Sequence, residues 1–181
     1  MTKTLGPRFT ALQLNIEGIS KDKSEFLSKF CHENSVDIIL LQETHTATDE
    51  QLLTRGVIPG YTLVDSLNSA IYGSATYIKS DITNFQRTCK AVFEDVSIIV
   101  TKVGELTISN IYKPPNITWP VDFPFCYNHP SIYIGDFNCH HTSWGYEENN
   151  TNGILLTNWM ESHDLYLHHD AKDRKSFHSA R

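Results

Sequence analysis

Apolar residues alternate roughly over residues 9–16 (Phe9, Ala11, Leu12, Leu14, Ile16), which predicts a first strand with Asn15 and Glu17 at its far end, ahead of Gly18. The period then lengthens. Phe26, Leu27, Phe30 and Cys31 form one face of a helix, and Asp22 with Glu25 is spaced as a capping box at its start. Residues 36–41 make a compact apolar run, the mark of a strand buried on both faces, and it ends at Gln42 and Glu43. Thr48 with Gln51 predicts a short second helix through Leu52 and Leu53, closed by Gly56.

Between Tyr61 and Tyr112 the period becomes two. Strand-like pieces fall at 61–64, 71–78, 91–93, 96–103 and 106–112, and Gly104-Glu105 fits a two-residue hairpin turn with glycine first. This middle section reads as an antiparallel meander. Residues 114–130 hold five of the seven prolines and form a long loop. Residues 132–134 (Ile-Tyr-Ile) are strand-like and break at Gly135. Asn152 is placed to cap a helix carrying Ile154, Leu155, Trp159 and Met160, and residues 165–167 read as the start of a further strand. No repeat, low-complexity tract or linker interrupts the chain, so residues 1–181 are expected to form one domain. The class is α/β, with two sheets packed face to face and helices outside.

Composition narrows the partners. Fifteen basic against twenty-one acidic residues give a net charge of -6, which counts against a polyanion partner. The count is softened because metal-binding carboxylates contribute to it. Cys31, Cys89, Cys126 and Cys139 form no C-x-x-C pair and are too sparse for a secreted scaffold, so they read as reduced thiols of an intracellular protein. The N-terminus has no apolar signal region and no run reaches membrane length, so the expected chain is soluble and neither secreted nor membrane-bound.

Four polar spots follow apolar runs: Asn15, Glu43, Tyr112 and the pair Asp136/Asn138. Each is a residue type that phosphodiester hydrolysis can use. A carboxylate such as Glu43 suits Mg²⁺, which takes oxygen ligands and keeps several waters. Asp136 is suited to deprotonate an attacking water, and Asn138 with the Tyr112 hydroxyl to donate hydrogen bonds to phosphate oxygens. Each also has a plainer explanation. Asp136 and Asn138 suit a turn after a strand, Asn15 suits a strand-end cap, Glu43 suits a solvated end or a pair with His45, and Tyr112 suits the core with its hydroxyl bonded. Cys126, His129, Cys139, His140 and His141 are enough ligands for zinc on paper. Cys126-x-x-His129, however, lies in the proline-rich loop, and adjacent histidines rarely reach one ion. His163, His168 and His169 read as surface or partly buried side chains. Trp144 and Trp159 read as core anchors more than as base-stacking platforms.

Leu-Gln-Leu-Asn15, Leu-Gln-Glu43-Thr, Asn-Ile-Tyr112-Lys-Pro-Pro and Gly-Asp136-Phe-Asn138 occur in the order and rough spacing of the endonuclease/exonuclease/phosphatase superfamily, the group of deoxyribonuclease I and abasic-site endonucleases. The run Gly-Asp-Phe-Asn-Cys-His-His-Thr-Ser-Trp-Gly, followed by a helix and Asp-Leu, resembles the endonuclease domains of Jockey-type non-LTR retrotransposons. The resemblance spans nearly the whole chain. It implies a four-layer α-β-β-α sandwich of two mixed, mostly antiparallel sheets. It also implies a Mg²⁺-dependent (or Mn²⁺-dependent) nick in double-stranded chromosomal DNA, leaving a 3′-hydroxyl that primes reverse transcription, with a reverse transcriptase domain on the same polypeptide. Nuclear and cytoplasmic residence follow from that role. By motif, Asn15 and Glu43 belong to the metal side, Tyr112 contacts phosphate, Asp136 handles the water and Asn138 supports the transition state. Asn116 matches loosely an amide that relatives place after the tyrosine, and His140 and His141 are candidates to line the DNA groove.

One departure stands against these matches. The family ends on a further aspartate and a Ser-Asp-His motif, whereas this chain ends at Ser-Phe-His178-Ser-Ala-Arg181. The expectation is therefore a domain lacking its final strands, weak or inactive alone, with an open sheet edge. Lys172, Arg174, Lys175 and Arg181 form a basic cluster suited to phosphate contact or to a solvated tail. Two competing functions remain open: another phosphoesterase on the same fold (a phosphatase or a sphingomyelinase-like enzyme), and a non-catalytic remnant that binds DNA or protein.

Overall fold

The computed structural model describes residues 8–168, so His169, His178 and the basic cluster Lys172, Arg174, Lys175 and Arg181 lie outside the described residues. The chain divides into two compact units. Met1–Pro114 with Tyr127–Phe137 forms the first, and Pro115–Cys126 with Asn138–Arg181 the second.

The first unit contains two four-stranded sheets. One has the order β1-β2-β4-β3, from β1 (Ala11–Asn15), β2 (Ile38–Gln42), β3 (Tyr61–Leu67) and β4 (Ser74–Lys79). The other has the order β5-β6-β7-β8, from β5 (Phe85–Phe93), β6 (Val96–Val103), β7 (Leu106–Tyr112) and β8 (Ser131–Asp136). Both are mixed. β1 runs parallel to β2 and β7 parallel to β8, while the remaining pairs are antiparallel. The expected meander is thus split between β4 and β5, one half in each sheet.

β2 is buried at every position, as its apolar run requires. Ile39 and Leu41 pack with Leu27 and Cys31 of helix α1 (Lys21–Glu33) and with Leu52 of helix α2 (Asp49–Arg55). Ile38 and Leu40 face the other way, into a core shared with Ile78 of β4, Val103 of β6 and Ile108 of β7. The first sheet therefore carries helices on one face and the second sheet on the other.

Local chemistry moves several boundaries. Ser20, not Asp22, caps α1, its side chain accepting from the Lys23 N–H. The buried line of α1 is Ser24, Leu27 and Cys31, so Phe26 and Phe30 stack on each other on the exposed side. Thr48 and Gly56 bound α2 as expected, with Thr48 accepting from the Gln51 N–H. β4 starts at Ser74, because Ile71 sits in the preceding loop and is 69% exposed. β5 is longer than its apolar end suggested, since one side of it is solvent-facing and its register shifts between Arg87 and Cys89. β8 runs through Gly135 to Asp136.

In the second unit, helix α3 (Thr151–Ser162) is capped by Asn150, whose side chain accepts from the Gly153 N–H, and not by Asn152. Asn152 instead accepts from the Trp119 N–H and donates to the Ile117 carbonyl, tying the proline-rich loop to the helix. Trp119, Phe123 and Trp159 make the aromatic centre of this unit, with ring centroids 4.8 to 5.7 Å apart. Residues 165–167 do not form a strand, and Tyr166 is 91% exposed. Cys31, Cys89, Cys126 and Cys139 form no disulfide among the described residues. No described helix is long and apolar enough to cross a membrane.

At Gly135 β8 lies close against β7, because a Cβ there would run into the Ile111 backbone carbonyl. Gly135→Ala is expected to destabilise the chain by about 1–3 kcal/mol through forced separation of the two strands. A urea melt reads this as a lower midpoint at unchanged slope, and an unchanged midpoint shows that the strands can part freely.

Candidate active site

Asn15 ends β1, Glu43 follows the last residue of β2, Tyr112 ends β7 and Asp136 ends β8. These are the carboxyl ends of two parallel pairs, one in each sheet. Within a sheet the neighbours are in register, Asn15 beside Gln42 and Tyr112 beside Asp136. Between the sheets they are joined by side chains. Asn15 Nδ2 donates to Asp136 Oδ2 at 3.0 Å, and the Tyr112 hydroxyl donates to Glu43 Oε1 at 2.8 Å. The structure therefore brings together four of the residues singled out from sequence, all within the first unit.

The backbone bends sharply to deliver them. Glu17 and Gly18 after β1, and Glu43 and His45 after β2, take positive φ of 47, 83, 53 and 51°. The left-handed conformation is uncommon for side chains other than Gly, Asn and Asp, and each such residue costs of order 1–3 kcal/mol unless its surroundings hold it. Here they do. The Gly18 and Ile19 N–H groups donate to the Glu43 and Thr44 carbonyls, and the Thr44 and His45 N–H groups donate to the Gly73 and Tyr72 carbonyls. Asn15 Oδ1 accepts from the Glu17 N–H at 3.2 Å, so one amide secures both the turn and Asp136.

Tyr112 is 1% exposed, and its ring leans on Tyr72 with centroids 5.5 Å apart. Burial pushes its phenol far above the ordinary value of 10.0. The hydrogen bond to Glu43 and the charges of Glu43 and Asp136 add to the rise. Tyr112 is thus a neutral, fixed donor. Its hydroxyl proton goes to Glu43 here, as expected of a core tyrosine with its hydroxyl bonded, and not to an open position facing phosphate.

Glu43 also lies 3.6 Å from His45, Oε2 to Nε2. Among the described residues no three His, Cys, Asp or Glu side chains group as a metal cluster. The donor set is therefore small: the Glu43 carboxylate, with Asn15 at the end of the strand paired to β2. That composition fits Mg²⁺, which binds through one or two carboxylates plus substrate phosphates and retains water. Each Glu43 oxygen has lone pairs beyond the one that accepts from Tyr112.

Asn116, Asn138, His140 and His141 belong to the second unit. Asn116 is exposed in the proline-rich loop and Asn138 has a left-handed backbone, φ 46°. The exposed His140 ring stacks on Tyr146 at 4.3 Å, and the His140 backbone N–H donates to Asn150 Oδ1. His141 caps the 3-10 turn Thr142–Trp144, its Nδ1 2.6 Å from Ser143 Oγ. Trp159 is buried in the aromatic centre, the anchor role expected of it.

Sequence reasoning passed over three residues beside the site. Lys113 is fully buried, with Nζ donating to the Pro114 carbonyl at 2.8 Å and its backbone N–H to the Asp136 carbonyl at 2.9 Å. Gln42, the last residue of β2, and Asn110, within β7, are fully buried amides.

A profile of the Endonuclease/Exonuclease/phosphatase family matches residues 12–178. The chain is 30% identical over 152 residues to a probable RNA-directed DNA polymerase from transposon X-element of Drosophila melanogaster, matching 80% of this chain and 16% of that protein. It is 28% identical over 155 residues to the RNA-directed DNA polymerase from mobile element jockey of the same organism, matching 78% of this chain and 16% of that protein. The chain thus spans about a sixth of the length of these relatives. Among solved structures, the endonuclease domain of TRAS1, a telomere-specific non-LTR retrotransposon, superimposes with a TM-score of 0.66. The match is 16% identical and covers 91% of this chain and 76% of that one. The fold is shared.

A group protonated more tightly in the folded than in the unfolded chain contributes stability that is full below its unfolded pKa. That stability is lost as pH rises through the folded value. For Tyr112 the loss begins near pH 10, the ordinary tyrosine value. Urea stability measured from pH 8 to 11.5 should hold to about pH 9.5 as far as this group is concerned and then fall. Tyr112→Phe should make that fall shallower by about 1.4 kcal/mol per pH unit. Identical slopes in the two proteins would show that Tyr112 ionises normally.

Proposed function

From the chain's membership of the Endonuclease/Exonuclease/phosphatase family, we propose that it is a Mg²⁺-dependent DNA endonuclease domain of a non-LTR retroelement. In this reading it nicks double-stranded DNA to leave a 3′-hydroxyl from which a reverse transcriptase on the same polypeptide extends. The observation that carries the reading is the pair of cross-sheet hydrogen bonds, Asn15 to Asp136 and Tyr112 to Glu43, at the carboxyl ends of four strands. The two polymerase relatives and the TRAS1 domain supply the retroelement context.

In this mechanism Asp136 takes a proton from the water that attacks phosphorus, and the P–O3′ bond breaks as the departing O3′ takes a proton from solvent water, giving a 3′-hydroxyl and a 5′-phosphate. Asn15 holds the Asp136 carboxylate in one orientation through Nδ2. Glu43, with Asn15, would hold Mg²⁺ or Mn²⁺, and the ion when bound supplies charge neutralisation at the phosphate and at the departing oxygen. Tyr112 stays protonated and keeps the Glu43 carboxylate in place. By motif alone, Asn138 is assigned to the developing charge on phosphate, and Asn116, His140 and His141 to DNA contacts. The negative net charge makes a few placed donors, rather than a basic surface, the means of holding DNA. Residence follows the substrate: the nucleus for nicking, after synthesis in the cytoplasm.

A supercoiled-plasmid assay with Mg²⁺ tests this. Expected are open circles that a DNA polymerase can extend, none in EDTA, and at least a roughly 10²-fold loss in Asp136→Asn. If neither the 181-residue chain nor a form extended past Arg181 nicks DNA, the proposal is wrong. Release of phosphate from a lipid or nucleotide would then point to another phosphoesterase, and retention of DNA without hydrolysis to a binding module.

A further inference from the structure

Two sheets packed face to face share no backbone ladder, and apolar contact between them is non-directional. Something must fix how far one slides along the other. The register matters here because the site is built across it: the Glu43–Tyr112 bond, 2.8 Å long, is lost once the strands shift by about 1 Å, past hydrogen-bond range.

Directly beneath that bond lies a buried amide pair. Asn110 Oδ1 accepts from Gln42 Nε2 at 2.7 Å. Asn110 Nδ2 reaches the Leu41 and Ala75 carbonyls at 3.3 and 3.1 Å and Thr76 Oγ1 at 3.2 Å. Leu41 and Ala75 face each other across β2 and β4, so the Asn110 side chain is aimed at the seam between two strands of the opposite sheet. Gln42 Oε1 in turn accepts from Gln13 Nε2 at 2.6 Å on β1. One amide of β7 thereby engages β2 and β4 directly and β1 through Gln42. Both Gln42 and Asn110 are 0% exposed.

The placement ties this network to the site. Gln42 immediately precedes Glu43, and Asn110 lies two residues before Tyr112, on the same face of β7. We propose that Gln42 and Asn110 are positioning residues that set the sliding register between the two sheets and so hold Glu43 against Tyr112. The proposal rests on the hydrolase reading only for its catalytic consequence, since the register itself is a property of the chain. A buried polar group that specifies geometry need not add net stability, because an apolar pair of similar shape can replace it at little cost. This separates pinning from plain support of the core.

The test uses Asn110→Leu and the double variant Gln42→Leu/Asn110→Leu, which removes both partners together and so leaves neither of the two unsatisfied. Chains labelled with [¹³Cζ]tyrosine report the Tyr112 hydroxyl by NMR whether or not the chain hydrolyses anything. The Tyr112 resonance, assigned by its absence in Tyr112→Phe, is expected to move or broaden in a folded variant, while the Tyr77 resonance, bonded to the Gly56 carbonyl, stays. An unmoved Tyr112 resonance in either folded variant overturns the proposal. In the nicking assay, Asn110→Leu is expected to lower kcat by about 10²-fold with little change in KM, and to cost much less in a Tyr112→Phe background. Equal cost in both backgrounds also overturns it. If neither the wild-type chain nor its form extended past Arg181 nicks DNA, the endonuclease reading fails and the NMR result alone decides the register.

Discussion

The structure depends on directional bonds across an interface that has no directional contact of its own. Moving from the middle of the inter-sheet layer toward the rim, the contents change in order. Ile38, Leu40, Ile78, Val103 and Ile108 come first, then the Gln42–Asn110 amides, then Glu43 with Tyr112 and Asn15 with Asp136. The apolar layer supplies cohesion and tolerates sliding. The amide layer is where hydrogen bonds become selective, since a buried amide that misses its partners forfeits about 1–3 kcal/mol for each unsatisfied group. The carboxylates can then sit at the edge, where water or a substrate reaches them without the full cost of a buried charge.

The turns at the strand ends are the counterpart of that order. A strand left to continue past Asn15 or Gln42 would throw the next side chain onto the opposite face. The left-handed residues Glu17, Glu43 and His45 break the alternation and bring two loops side by side, where their N–H and carbonyl groups satisfy one another. Strain is therefore concentrated where the side chains must be aimed, and the crossed loop bonds hold it there. A Cβ at Gly73 would press on Thr44, so the third loop of the group is also closely packed.

Much of this was legible in the sequence, and the part that was not has a common cause. The spans 96–103 and 106–112 coincide with β6 and β7 because those strands are buried along nearly their whole length and joined by a glycine-first turn. Asn15, Glu43, Tyr112 and Asp136 were found because a polar residue ending an apolar run stands out. Elements facing solvent were misjudged: β5, polar on one side, was seen only at its end, and exposed Ile71 and residues 165–167 were given to strands. Caps shifted because several candidates crowd each helix start, and backbone geometry selects among Ser20, Asp22, Asn150 and Asn152. Gln42 and Asn110 were overlooked because one amide in an apolar strand looks like an edge position. Only the facing sheet reveals its partner.

Asp136 shows why the arrangement favours chemistry over mere stability. Its backbone carbonyl accepts from the Lys113 N–H, its side chain accepts from Asn15, and the residue before it has no Cβ because β7 lies too close to admit one. Peptide backbone, side chain and strand packing each fix a different degree of freedom of one carboxylate. A carboxylate needed only for solubility requires none of these. Asn15 holds the carboxylate through Nδ2 and limits its freedom to turn. A carboxylate held in one direction before substrate arrives is the geometry that the proposed general-base role of Asp136 requires.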